Sequence, residues 1–222
     1  MYERLADSSL IVDEIFATIQ GESTDMGKPC VFLRLFGCNV GCKYCDQKQD
    51  PKNRKVMSIS KVLSKVRRYG IQNVCITGGE PLLQWNACYP VVLELLSTGY
   101  NVSIETSGCI PIELDQYHRS YKYVMDVKCP SSGVVHKNVL DNLMVLQAID
   151  EVKFVISDRT DYDFMKSVLK KYSTPAKILI SPCFDENMKP VLNGEDLFEW
   201  LMKDRLFNIR VQIQMHKVLN VK

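Results

Sequence analysis

Three thiols share one short stretch, Cys38-Asn-Val-Gly-Cys42-Lys-Tyr-Cys45-Asp46, with three residues between the first pair and two between the second. Thiolates bind both zinc and iron, and spacing separates the two. A structural zinc site usually sets two close cysteines against a second close pair of Cys or His. No second pair at such spacing occurs here, and the chain holds only three histidines. A 4Fe–4S cluster normally takes four cysteines, one per iron, so three ligands leave one iron open. An open metal position is where catalysis takes place. Gly41, beside the second ligand, keeps a side chain out of the way where the loop must wrap the cube.

Such a loop needs a frame, and hydrophobic periodicity supplies one. Ser9 to Thr18 and Cys30 to Phe36 read as strands, the second with clean alternation. Ser58 reads as the cap of a helix whose inner face is Ile59, Val62, Leu63 and Val66. Asn73 to Thr77 is a strand closed by Gly78-Gly79, and Pro90 to Ser97 a helix with Val92, Leu95 and Leu96 inward, ended by Gly99. Further strands are expected at Val102 to Glu105, Tyr121 to Val127, Val152 to Ile156, Lys177 to Ile180 and Ile209 to Ile213. Helices are expected at Phe164 to Tyr172 and at Leu197 to Leu206, the latter capped by Asn193. Ser131 to Asp150 reads as a loop followed by a short helix.

Repeated strand–helix–strand units predict an α/β fold on a parallel sheet. At 222 residues the chain is short for eight full units, so a partial TIM-type barrel is expected, in a single domain spanning 1–222. Ligands in such folds sit at the carboxyl ends of strands, and the cysteine loop follows the strand ending at Phe36.

Composition is that of an ordinary soluble protein, 46% hydrophobic and 24% charged. A net charge of +2 gives no reason to expect nucleic acid or an anionic membrane as partner. With no bilayer-length apolar run and no signal-peptide pattern, a cytoplasmic location is expected. The six cysteines outside the motif, Cys30, Cys75, Cys88, Cys109, Cys129 and Cys183, read as buried packing groups rather than disulfides.

Polar groups mark the strand ends. Thr77-Gly78-Gly79-Glu80-Pro81 puts paired glycines where backbone can approach a ligand, although by itself the segment also suits a turn. Glu105-Thr106-Ser107-Gly108 and Asp126-Val127-Lys128-Cys129-Pro130-Ser131 place groups suited to ribose hydroxyls and a carboxylate. Asp126 and Lys128 share a face, so pairing with each other and contact with a ligand are both open. Ser181-Pro182-Cys183-Phe184 ends a later strand.

The cysteine motif resembles that of the radical S-adenosylmethionine enzymes, in which the open iron is chelated by the amino and carboxylate groups of S-adenosylmethionine. The resemblance implies the radical SAM fold and a 4Fe–4S cluster on Cys38, Cys42 and Cys45. It implies cofactor contacts from Tyr44 and Asp46 near the cluster, and from Gly78, Gly79 and Glu80 at the amino group. Glu105, Ser107, Lys128 and Ser131 are implied at the rim, with Ser181 and Cys183 closing over the adenine.

A wider ordered set resembles one branch of these enzymes. Phe16-Ala-Thr-Ile-Gln20-Gly21-Glu22, Phe32-Leu-Arg34-Leu-Phe-Gly-Cys38-Asn39, Thr77 to Gln84, and Gln214-Met-His216-Lys217 together are similar to the 7-carboxy-7-deazaguanine synthase family, from about Phe16 to the last residue. That resemblance implies conversion of 6-carboxy-5,6,7,8-tetrahydropterin to 7-carboxy-7-deazaguanine with loss of ammonia. It implies a flavodoxin or ferredoxin as reductant and a homodimer. Ile19, Gln20, Gly21, Glu22, Arg34, Thr77, His216 and the terminal carboxylate of Lys222 are implied around the substrate. The residue chemistry agrees, because Glu22 can accept the paired N–H donors of a pterin edge. Arg34, facing the same side as Phe32 and Phe36, needs an anion, which is either a substrate carboxylate or an internal ion-pair partner. One departure stands out. The family has Ser or Thr after the Cys-Asp pair to help hold Mg²⁺, whereas this chain has Gln47, whose longer carbonyl can also ligate a hard cation. Rival readings are an activase that installs a glycyl radical on a protein, and a non-catalytic iron–sulfur or zinc-stabilised module.

Overall fold

The computed structural model describes residues 9–45, 47, 49–113, 121–185, 187 and 189–221. β1 (Ser9–Ile19) and β2 (Pro29–Leu35) form an antiparallel hairpin, with Val12 opposite Leu35 and Ile19 opposite Pro29. β3 (Lys55–Ser58) joins the other side of β1, also antiparallel. Beyond β2 every pairing is parallel, through β4 (Asn73–Gly78), β5 (Asn101–Thr106) and β6 (Tyr121–Asp126). The sheet continues through β7 (Glu151–Ile156), β8 (Lys177–Pro182) and the short β9 (Arg210–Val211). Among the described residues the nine strands lie in the order β3-β1-β2-β4-β5-β6-β7-β8-β9, so the sheet is open and the expected partial, mostly parallel α/β architecture is met.

Period-two alternation sorts each strand into two faces. One face carries Val74 and Ile76, Val102 and Ile104, Tyr123 and Met125, Phe154 and Ile156, all in a continuous apolar core. That core is completed by helices. α1 (Ile59–Arg67) buries Ile59, Val62, Leu63 and Val66, and Ser58 caps it by accepting from Lys61 N–H, as its sequence predicts. α2 (Trp85–Ser97), α4 (Arg159–Lys171) and α5 (Gly194–Asp204) contribute Leu95, Met165 and Leu201 in the same way, and Asn193 caps α5. The opposite face is polar. Ser103, Glu105, Lys122, Asp126, Glu151 and Lys153 point there, all outside the apolar core. A sheet with charges on one face must give them partners, and this one curls that face around a cavity.

Several boundaries differ from the sequence reading. α2 begins at Trp85, running on from a 3-10 turn at Pro81–Gln84, so Pro90 lies inside the helix rather than at its start. Proline removes one donor there, and the buried stripe Cys88, Val91, Val92 and Leu95 holds the helix regardless. Leu96 is only partly buried, and Val91 takes the inward place. α4 starts at Arg159, capped by Asp158, because its first turn is polar and gave no periodic signal. β9 shrinks to Arg210–Val211 and leaves Ile213 exposed. The expected loop and short helix after Ser131 appear as two 3-10 turns and α3 (Asn142–Val145). β3 and α6 (Met215–Leu219) are too short to leave a pattern in the sequence.

Asp161, fully buried in the first turn of α4, fixes the loop after β6 to the end of β7. Its carboxylate accepts from Ser131 N–H at 3.0 Å and Ser157 N–H at 2.9 Å, and from the Ser131 hydroxyl. Asp161→Ala strands those donors, at about 1–3 kcal/mol for each buried group left unsatisfied. We expect a loss of about 3 kcal/mol in urea unfolding; an unchanged midpoint would contradict the assignment.

Candidate active site

The cysteine loop leaves β2 at the carboxyl end of the parallel sheet. Its base is closed by Gln49, whose side chain accepts from Gly37 N–H at 2.7 Å and donates to Leu35 C=O at 2.6 Å. That amide acts as a piece of strand, joining the start of the loop to its end. The neighbouring Gly78-Gly79 segment explains its own glycines. Gly78 has φ +111°, and a Cβ on Gly79 would lie 1.7 Å from Gly37 O. Gly79 N–H donates to Leu35 C=O and Glu80 N–H to Gly37 C=O, each at 2.8 Å. The close approach therefore serves the cysteine loop directly. Gly41 adopts φ +78° with open space around it, as a loop wrapping a bulky group requires.

Cys38, Cys42 and Cys45 line a cavity of about 400 Å³ together with Gly78, Gly79 and Tyr44. Among the described residues no group of three or more His, Cys, Asp and Glu is gathered closely enough to hold a single metal ion. The donor set suits a thiolate-bound cluster on its chemistry: three thiols on one glycine-bearing loop, facing one cavity. Burial pushes the Cys42 thiol up, with Lys128 pulling the other way. Four side chains around the cavity carry buried polar atoms without a partner among the described residues: Arg34 Nε, Tyr44 Oη, Asp126 Oδ1 and Gln214 Oε1. Such atoms are costly unless a ligand or water completes them, and this set offers both donors and acceptors.

The far side of the cavity comes from an unexpected direction. Ile19 pairs with Pro29 at the start of β2, so the loop Gln20 to Lys28 rises from the end of the sheet opposite the cysteines. It is pinned there by Glu151, which accepts from Thr24 N–H at 3.1 Å, and by Lys122, whose ammonium lies 2.6 Å from both Asp25 and Glu151. Glu22 projects from this loop into the interior, where it ion-pairs with Lys153 of β7 and accepts from Gln214 Nε2 at 2.5 Å. α6 closes over the same loop. Met215 N–H donates to Gly21 C=O at 2.9 Å, and a Cβ on Gly21 would meet His216 Nδ1 at 2.2 Å. Gly21 is thus required so that His216 can reach the cavity.

Charge runs along the cavity wall in alternation. Glu22 meets Lys153, Lys153 lies 3.9 Å from Asp126, and Asp126 pairs with Lys128 at 2.7 Å. Burial drives Glu22 toward the neutral acid, but the charge and hydrogen bond of Lys153 prevail, helped by Gln214, and its pKa falls to about 2. For Glu105 burial prevails and its pKa is raised, Lys153 offsetting part of the rise and Glu22 adding to it. Burial would lower Lys153 and Lys128, yet the facing carboxylates hold both above the ordinary lysine value. Across the cavity, Phe16 stacks on Phe32 at 5.4 Å, with the Arg34 guanidinium 4.9 Å over Phe16.

Most residues marked from sequence line this one cavity, namely Ile19, Gln20, Gly21, Glu22, Arg34 and Thr77, with Glu105, Ser107, Lys128, Cys183, His216 and Gln47. Of the two readings left open for Arg34, an internal partner exists: it pairs with Glu14 directly across the hairpin, while Nε stays unpartnered. Asp126 and Lys128 likewise pair with each other. Glu80 does not face the cavity. It is fully buried and ties β4 to β5, accepting from Thr106 Oγ1 at 2.9 Å and from the main chain and hydroxyl of Ser107. Ser131 is turned toward Asp161, and Ser181 is buried in β8 away from the lining. Asp46 and Lys222 lie outside the described residues. Sequence reasoning missed Lys153, which looked like one polar residue in an apolar strand, and Gln214 as the partner of Glu22. Glu151 stands two residues before Lys153 on the same face of β7, so the chain offers a local acid as its partner, and only the fold brings Glu22 to it instead.

Residues 34–126 match the Radical SAM superfamily. The chain is 35% identical to the 7-carboxy-7-deazaguanine synthase of Koribacter versatilis (strain Ellin345) over 219 residues, covering 94% of this chain and 96% of that one. It is 34% identical to the 7-carboxy-7-deazaguanine synthase of Methanospirillum hungatei JF-1, covering 96% of this chain and 87% of the relative. The crystal structure of QueE from Escherichia coli superposes with a TM-score of 0.69 at 22% identity, over 94% of this chain and 95% of that one, which is a likeness of fold.

Lys153→Met leaves Glu22 buried without its cation, a defect of about 3–5 kcal/mol. Glu22 titrates at about 2 in the fold against an ordinary 4.5, so the pair's stabilisation is complete above pH 4.5 and disappears as pH falls toward 2. The stability gap between wild type and Lys153→Met should therefore be widest near neutrality and narrow below pH 4.5 in urea titrations. A gap independent of pH would show that packing, not charge, is what Lys153 contributes.

Proposed function

The chain belongs to the 7-carboxy-7-deazaguanine synthase family, and from that premise we propose how its own residues share the work of the reaction. It is a radical S-adenosylmethionine carbon–nitrogen lyase that contracts the ring of 6-carboxy-5,6,7,8-tetrahydropterin to 7-carboxy-7-deazaguanine with loss of ammonia, in queuosine and 7-deazapurine biosynthesis. Its cofactors are a 4Fe–4S cluster and S-adenosylmethionine, which when bound and reduced by one electron supply the radical chemistry that removes a hydrogen atom from C6 of the pterin.

Cys38, Cys42 and Cys45 hold the cluster, and the backbone of Gly78-Gly79 with Ser107 and Tyr44 borders the place for S-adenosylmethionine. Lys128, set by Asp126, is the cation near the cofactor's carboxylate. At the other end Glu22 is kept ionised by Lys153, ready to accept the paired N–H donors of the pterin edge. Arg34, stacked over Phe16, offers its unpartnered Nε–H to the substrate carboxylate. Phe16 and Phe32 give the ring a flat apolar wall, while α6 brings His216 and Gln214 over the substrate and keeps water out. Gln47 offers a carbonyl to Mg²⁺ from the cavity wall. The partners of this reading are a flavodoxin or ferredoxin as electron donor and a second copy of the chain in a homodimer. Its setting is the cytoplasm, and no helix among the described residues is long and apolar enough to cross a membrane.

The observation that carries the reading is that a single cavity joins the three-thiol loop at one end to an ionised buried carboxylate at the other. A metal carrier needs the first and has no use for the second. The test is anaerobic reconstitution followed by incubation with the carboxypterin, S-adenosylmethionine and dithionite. Mass spectrometry should find 5′-deoxyadenosine together with the deazaguanine acid. Deoxyadenosine without that acid keeps the enzyme class and removes the substrate. In the same assay Glu22→Gln should lower kcat/KM about a hundredfold, the loss of about 3 kcal/mol expected for a charged hydrogen-bond acceptor, with iron content unchanged.

A further inference from the structure

The cysteine loop is held from outside by the segment that follows β6. Lys43 N–H donates to Ser132 C=O at 3.0 Å, and the Lys43 stem lies across Gly133, where an added Cβ would come within 2.7 Å of it. The stronger hold is Lys137, the last residue of the 3-10 turn Val135–Lys137. Its ammonium donates to Asn39 C=O at 2.8 Å and to Val40 C=O at 2.7 Å. Those two residues belong to the stretch between Cys38 and Cys42, so one side chain fixes the main chain between the first two thiols.

A half-buried lysine ordinarily keeps its charge in water or pairs it with a carboxylate. Lys137 instead spends two of its three donors on neutral carbonyls of a loop that arrives from far away in the chain. The geometry has two consequences. With both carbonyls turned to Lys137, the trans peptides turn the N–H groups of Val40 and Gly41 to the opposite side. A positive charge is also fixed against the loop between the first two thiols. Hydrogen bonds to sulfur and nearby charge are two of the means by which a protein sets the potential of a bound iron–sulfur cluster.

We propose that Lys137 is a positioning residue for the cluster: it clamps the main chain between Cys38 and Cys42 and raises the reduction potential of the cluster those thiols hold. The proposal rests on the reading of Cys38, Cys42 and Cys45 as cluster ligands. A fixed cation favours the state with one more electron, so removing it makes the cluster harder to reduce. Removing the clamp also loosens the ligands, at a cost that such supporting contacts typically show as 10–100-fold in metal retention or activity.

The test compares wild type, Lys137→Met and Lys137→Arg after anaerobic reconstitution. Redox titration followed by electron paramagnetic resonance reads the potential, and transfer of iron to a ferrous chelator reads retention. The Met variant should titrate at a more negative potential and release iron about tenfold faster. Arg, which keeps the charge and the donors, should recover most of both. A role in folding alone would lower the melting temperature without moving the potential of the protein that loads. A Met variant with wild-type potential and wild-type iron release overturns the proposal. Should the Met variant not fold, Lys137→Gln, neutral but still a donor, takes its place with the same expected shift in potential. A wild-type chain that takes up no iron overturns the ligand assignment and the proposal together.

Discussion

One ammonium group, that of Lys153, makes the inside of this sheet possible. It sits on β7 and faces Glu22 from the β1–β2 loop and Asp126 from β6, with the field of Glu105 from β5 added. Any of these carboxylates alone in a buried wall would have to take up a proton or find water. Sharing a cation lets Glu22 stay ionised and lets the strands that carry these groups lie side by side. A buried pair is seldom a net gain over well-packed apolar residues. Its presence here marks an interior arranged for a ligand, and the unpartnered Asp126 Oδ1 and Gln214 Oε1 beside it point the same way.

That constraint also explains the open sheet. A closed barrel of this kind fills its interior with layers of branched apolar side chains. Here the apolar side chains face outward against α1, α2, α4 and α5, and the inner face carries Ser103, Glu105, Lys122, Glu151 and Lys153. An interior so polar needs filling from outside the strands. The β1–β2 loop enters from one end, the cysteine loop covers the other, and α6 with Gln214 closes the side. The cysteine loop is fixed by Gly79 against Gly37 and by the Gln49 amide across its base, the β1–β2 loop by Glu151 and Lys122, and α6 by Met215 N–H on Gly21 C=O.

Much of this architecture is legible in the sequence. The parallel core strands announce themselves because β-branched runs alternate with capped amphipathic helices, and Ser58 and Asn193 cap where their side-chain chemistry places them. The three thiols and the glycine pair are legible because spacing alone carries the chemistry. What was hidden depends on partners distant in the chain. Glu80 looks like a ligand contact in Gly-Gly-Glu-Pro, yet the hydroxyls of Thr106 and Ser107 claim its carboxylate, and no local pattern reveals that. Lys153 is invisible for the same reason, since its meaning comes from Glu22, 131 residues away. Pro90 suggests a helix start, yet it lies inside α2, where the buried stripe of Cys88, Val91, Val92 and Leu95 outweighs one missing donor.

Glu22 and Glu105 show how one cation divides its influence between two acids. Both are buried and both feel Lys153, but only Glu22 also takes its hydrogen bond and one from Gln214. Its charge is therefore fixed, and that fixed charge is part of what raises Glu105. The second acid is left as the adjustable one. A cation entering the cavity favours the ionised form of Glu105, and an anion entering favours the protonated form. Glu22, Lys153, Asp126 and Lys128 are already matched with one another along the wall. Beside these matched groups Glu105, bonded to Thr77 at 3.1 Å, is the acid of the wall whose pKa burial raises.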